Sequence, residues 1–235
     1  MTALRTCLAI VLLGALGGCR LFGLGGKLPP RELYRLAPPD TSIARAASAA
    51  ASPGGGTARP ALDGTLGVLT YETPGLYGES GIVFRVGDVA YGAYPSREWA
   101  MPLGDMLGQL TARLAEGAGL TREVPLYAPP SPRAQGYLWR ARVSEFEEVN
   151  RDGRLLVAVR IDAAIVRTRD DSVVWSGSAG REHAVVGGTD MPAIVRSLSA
   201  VSADVITELL DRASRALGRQ AIGRRAPADA ARATP

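Results

Sequence analysis

The sequence predicts an α+β or mixed α/β layer, a single sheet with a three-stranded antiparallel meander and two main helices packed on it. Three observations carry this expectation. From Tyr137 to Glu182 apolar and polar residues alternate over long runs, broken at Asp152-Gly153 and at Asp170-Asp171-Ser172, as antiparallel strands joined by tight turns require. Leu103, Met106, Leu107, Leu110 and Leu114 share one face of a helix over about 102–116. Ile194, Leu198, Val201, Val205 and Leu209 share one face of a longer helix over roughly 191–217.

The remaining elements follow in chain order. Residues 31–36 (RELYRL) alternate and read as a strand, stopped by Pro38 and Pro39. Residues 37–64 are rich in Ala, Ser, Gly and Pro, which bury too little apolar surface to offset ordering entropy, and are expected to be a disordered insertion. Residues 66–72 (LGVLTYE) form a strand before the Thr73-Pro74-Gly75 turn. Residues 82–86 and 89–94 form a hairpin around Gly87-Asp88, and Tyr94-Pro95 is expected to end that part of the sheet. Pro102 suits a first helical turn, and Gly117 and Gly119 suit a stop. Asp190 is the N-cap of the last helix. Residues 219–235, Ala, Arg and Pro for the most part, form a disordered basic tail.

The N-terminus is of a different kind. Arg5 precedes residues 7–16 (CLAIVLLGAL), an apolar run too short to span a bilayer, which takes ~20 residues, but suited to the core of a signal peptide. Leu16-Gly17-Gly18-Cys19 follows. Two small residues admit an extended chain to a peptidase cleft, and the next residue supplies a thiol for diacylglycerol. This resembles the lipobox of bacterial lipoproteins. It divides the chain into a signal peptide (1–18), a lipidated tether (19–30) and one domain (31–218). Cys7 leaves with the signal peptide and Cys19 is alkylated, so the domain must fold without a disulfide.

Charge points away from nucleic acid. The formal net charge of +4 comes from Arg5 and from Arg219, Arg224, Arg225 and Arg232 against Asp229; between them the two signs balance. Catalytic patterns are missing as well. His183 is the single histidine and sits at a strand end near Glu182. No second histidine or free thiol completes a zinc site. Gly54-Gly55-Gly56 lacks the Gly-Lys-Ser/Thr of a phosphate loop, and neither Ser80 nor Ser178 lies in G-x-S-x-G. Glu147-Glu148 and Asp170-Asp171 read as solvated charge at strand ends and turns. The expectation is a protein that is not an enzyme and has no cofactor and no metal.

The most distinctive stretch is Ile82-Val83-Phe84-Arg85, then residues 91–94, then Arg97-Glu98-Trp99-Ala100-Met101-Pro102-Leu103 and the leucine-striped helix. A Trp at such a corner packs over the end of a core, with the neighbouring Arg stacking or pairing to cover it. The order of these elements resembles the ABC-type transport auxiliary lipoprotein family, which accompanies MCE-domain lipid-transport systems. The early Tyr34-Arg35-Leu36, the long meander and Asp190-Met191-Pro192 before the last helix are similar too, over about 31–217 apart from the insertion.

The resemblance implies an accessory or docking role. The lipid anchor would hold the chain to the outer membrane, facing the periplasm, with an MCE-domain protein and an ABC permease and ATPase as partners. Arg20 after the lipidated cysteine, rather than Asp, is what favours the outer over the inner membrane. Tyr94, Arg97 and Trp99 are the candidate structural or docking corner. A lipid- or ligand-binding lipoprotein with its own cavity, and a structural lipoprotein of another envelope assembly, stay open as alternatives, as does homo-oligomerisation. Apolar residues spent on ordinary strand and helix faces leave no evident surplus for a pocket.

Overall fold

A computed structural model of the chain describes residues 30–38 and 60–230, with side chains to Arg219. The described residues from Glu32 onward form one compact unit. The lipobox, the tether, most of the insertion and the last five residues lie outside the described residues.

Among the described residues, eight strands make one mixed sheet: β1 (Glu32–Tyr34), β2 (Leu66–Val68), β3 (Gly81–Val86), β4 (Ala90–Trp99), β5 (Leu126–Tyr127), β6 (Tyr137–Arg151), β7 (Arg154–Arg167) and β8 (Ser172–Ala184). Two α-helices accompany it, α1 (Leu103–Glu116) and α2 (Met191–Ala230). The expected α+β architecture is present. The antiparallel meander β6–β7–β8 is its largest part, and parallel pairings extend it. One edge of β6 pairs with β7 along its length. The other edge is shared: β2 runs parallel to it at Leu66↔Tyr137 to Val68↔Trp139, and β3 runs parallel at Phe84↔Glu148 to Val86↔Asn150. From β3 the sheet continues to β4 and β1, and from β2 to β5.

The β6–β7 turn shows why its sequence was legible. Asp152 and Gly153 both have positive φ, 52° and 74°, the conformation that a two-residue turn matched to strand twist demands. A register shift between Val143 and Glu145 changes the phase of β6. Trp139, Ala141 and Val143 before it, and Phe146 after it, therefore all enter the core with Val157, Val159, Ile161, Ala163 and Ile165 of β7. Both helices press on that face. Leu107, Leu110 and Leu114 of α1 and Leu198, Val205, Ile206 and Leu209 of α2 are buried there. A Cβ on Gly104 would lie 2.4 Å from the Tyr71 carbonyl oxygen, so only glycine lets α1 sit this close to the chain after β2. The core's buried polar atoms form a chain: Trp139 Nε1 donates to Tyr71 Oη at 3.2 Å, which shares a 2.6 Å bond with Thr111 Oγ1. The Asp190 N-cap is present, its Oδ1 accepting the Ala193 amide at 2.9 Å.

Several sequence expectations are corrected. The strand expected to end at Tyr94-Pro95 runs on to Trp99. Gly81 and Val83 of β3 oppose Glu98 and Ala93, so a wide bulge in β4 takes up the intervening residues, and Pro95 sits where no ladder bond is required of it. The expected insertion is also narrower at both ends. The Ala37 amide donates to Ser199 Oγ at 3.0 Å, while Leu62 is buried and its amide bonds the Leu120 carbonyl at 2.9 Å. Finally, the helical backbone of α2 continues past Leu217 to Ala230.

Candidate docking corner

The structure brings Tyr94, Arg97 and Trp99 together on one strand rather than on a connecting loop. β1 pairs parallel with the end of β4, placing Glu32 beside Arg97, Leu33 beside Glu98 and Tyr34 beside Trp99. The Trp99 amide donates to the Ser80 carbonyl at 2.7 Å, and the Ala100 amide to the Tyr34 carbonyl at 2.7 Å. The corner is thus clamped from β1 and from the residue before β3, ahead of the helix that begins at Leu103.

Trp99 points inward. It is 6% exposed and meets the Phe146 ring edge-on, 5.8 Å between centroids. Arg97 does not cover it. Its guanidinium lies 5.0 Å over the Tyr94 ring, and Nε stands 3.8 Å from Glu32 Oε2. Tyr94 in turn packs on Phe84 at 4.9 Å and donates its hydroxyl to Glu148 Oε2 at 2.9 Å. Burial, and then the adjacent carboxylate, push the Tyr94 hydroxyl up to about 12. Burial also raises the Glu148 carboxyl above its ordinary value, against the opposing pull of Tyr94 and Arg97. The corner shows solvent a guanidinium stacked on a tyrosine, two residue types enriched where proteins meet.

On the opposite face of the sheet lies a cluster that the sequence reading missed. Glu147 is fully buried and Glu148 nearly so, not solvated as expected. Arg85 Nε donates to Glu147 Oε1 at 2.9 Å, and Tyr77 Oη donates to Glu147 Oε2. Arg85 Nη2 reaches Glu182 Oε1 at 3.5 Å, while Arg151 grips both Glu182 oxygens at 2.9 Å. Hydrogen bonds from Arg151 draw the Glu182 carboxyl below its usual range. The signal was on the neighbouring strand. Val157-Ala158-Val159, apolar at three successive positions, is a strand covered on both faces, and Glu147 and Glu148 pair with Ala158 and Val157. His183 is exposed near the end of β8. Among the described residues no group of three or more His, Cys, Asp or Glu is placed to hold a metal ion, and no helix is long and apolar enough to cross a membrane.

No family model matches the chain. No curated protein matches it. Solved structures do. A Xanthomonas campestris protein of the family DUF330 aligns with a TM-score of 0.60 at 20% identity, covering 72% of this chain and 93% of that one. An uncharacterized protein aligns with a TM-score of 0.54 at 15% identity, covering 78% and 97%. More distant is lipoprotein GNA1162 from Neisseria meningitidis, with a TM-score of 0.30 at 12% identity over 55% and 90%. At these identities the first two define a shared α+β fold. The chain is therefore a protein of the fold seen in the DUF330 structure.

Proposed function

We propose that this chain is a non-catalytic periplasmic lipoprotein, anchored through Cys19, that serves as an accessory or docking component of an MCE-type ABC transport system for lipids or other hydrophobic compounds. The observation that carries the reading is the pairing of β1 with β4. The first strand after the anchor lies directly beside the strand that bears Tyr94, Arg97 and Trp99, the stretch on which the family resemblance rests. Twelve residues lie between Cys19 and Glu32, making thirteen residue-to-residue steps. At ~3.5 Å per residue they reach at most about 45 Å, so the corner works close to the anchoring membrane. Trp99 turned inward and Arg97 turned outward divide the labour: one holds the corner, the other meets a partner.

The test is affinity capture of the lipidated protein from detergent-solubilised envelopes. The MCE-domain protein, permease and ATPase should co-purify, and Arg97→Glu should reduce their recovery without changing the melting temperature. Recovery of none of the three would overturn the reading.

A further inference from the structure

After β1 the chain crosses one side of α1. The Leu36 amide approaches Met106 Sδ at 3.4 Å, and beyond it Ala37 is tied to Ser199. Between this segment and α1 lies an open groove of about 640 Å³, inside the range of roughly 300–1,000 Å³ usual for small-ligand sites. Its floor is apolar: Leu36, Met106 and Ala112 line it and are nearly buried, with Met101 half-open at one side. From Met106 to Glu116 the helix contributes a wall about 15 Å long at 1.5 Å per residue.

The rim carries charge. Arg35 and Arg113 line the groove and are exposed, and neither has an ion pair or hydrogen bond among the described residues. Most other arginines of the domain are tied up, Arg85 and Arg151 with Glu182, and Arg181 and Arg212 with Glu208. Glu116, one turn beyond Arg113, is the acidic residue of the lining. Two exposed guanidiniums above a floor that includes Leu36 and Met106, with Met101 at its side, match a molecule with an anionic oxygen head and an aliphatic tail. The guanidinium fork binds phosphate oxygens in pairs, and the flexible thioether side chains adapt to a chain without fixed shape.

We propose that this groove binds one acyl chain of an anionic phospholipid, with its phosphate held by Arg35 and Arg113. The inference deepens the accessory-lipoprotein reading and rests on it for the membrane that presents the lipid.

The experiment places the full lipidated protein in nanodiscs containing phosphatidylglycerol with a diazirine in its acyl chain. After photolysis the labelled peptides are mapped. Label should concentrate on the peptides holding Met101, Met106 and Ala112. Arg35→Gln with Arg113→Gln should cut it by roughly tenfold, as loss of charge-assisted bonds implies, whereas the two lysine replacements should keep most of it. The same diazirine on phosphatidylcholine should label at background. Label spread evenly over the surface, label confined to the insertion, equal labelling by both lipids, or indifference to the glutamine pair would each overturn the groove. Lost labelling with MCE-protein capture intact defeats the groove alone. Labelling kept with capture lost defeats the accessory reading alone.

Discussion

Glu147 shows how much a single buried side chain can decide. Both of its oxygens are occupied, one by Arg85 and one by Tyr77, and the side chain is fully buried. Taking away one member leaves a buried charge without its counter-charge, so Arg85→Met should destabilise the fold by about 3–5 kcal/mol. Replacing the cluster together, Arg85→Met with Glu147→Leu and Tyr77→Phe, should recover most of that loss, since well-packed apolar groups substitute for buried ion pairs at little expense. Urea unfolding of the two proteins measures the difference; equal stabilities would mean the pair is not coupled. Glu148, its neighbour on the other face, behaves differently. Its folded-state pKa is raised by burial, so its contribution favours the fold below the ordinary carboxyl value of 4.5 and is lost as pH rises through the raised value. Glu148→Gln stays neutral and still accepts from Tyr94. It should therefore melt above the parent protein at pH 7, with the gap closing towards about pH 4. Glu182 has the opposite sign: its lowered value gives stability above 4.5 that is lost as pH falls.

At the scale of an element, β4 is where sequence and structure part most. α1 and the meander were legible because each repeats a simple period: Leu103, Leu107, Leu110 and Leu114 recur at helical spacing, and β7 alternates around Val157, Val159 and Ile161. β4 has no such period. Its second half is a strand because β1 arrives beside it from some sixty residues earlier, and because a bulge absorbs Pro95. Neither cause is local, so neither left a mark in the sequence around Tyr94. The shared edge of β6 was hidden for the same reason, since β2 and β3 pair with it across long connections. At the corner, Arg97 stacks on Tyr94 rather than covering Trp99, a choice of ring that the local sequence does not reveal. Deleting the Trp99 side chain removes the packing on Phe146 and should destabilise the domain by about 3–5 kcal/mol, a large share of the ~5–15 kcal/mol typical of a domain. Arg97→Ala removes an exposed stack and a loose ion pair and should change stability by less than about 1 kcal/mol. Thermal melting of the two variants separates these roles. An unchanged melting temperature for Trp99→Ala together with lost partner capture would make Trp99 the contact residue instead.

For the whole molecule the decisive question is attachment. Charges of the two signs balance through the domain, so no net charge draws it to an anionic surface, and no described helix is long and apolar enough to cross a membrane. On the proposed lipoprotein reading, lipid on Cys19 is what holds the protein at its membrane. A single acyl chain gives only marginal anchoring, while two or more hold a protein stably, because each buried methylene adds about 0.8 kcal/mol. Cys19→Ser leaves no thiol at the lipobox and so no site for any of these chains. The variant should appear uncleaved or soluble, with metabolic palmitate labelling gone, while the domain melts unchanged because residue 19 precedes its first strand in the sequence. The parent protein should band with outer-membrane markers on a sucrose gradient, since Arg20 lacks the Asp that retains such proteins in the inner membrane. Banding with inner-membrane markers would move the docking corner to the other side of the periplasm while keeping the anchor. Palmitate that persists in Cys19→Ser would remove the anchor itself, and with it the tether geometry that holds Arg97 near a membrane.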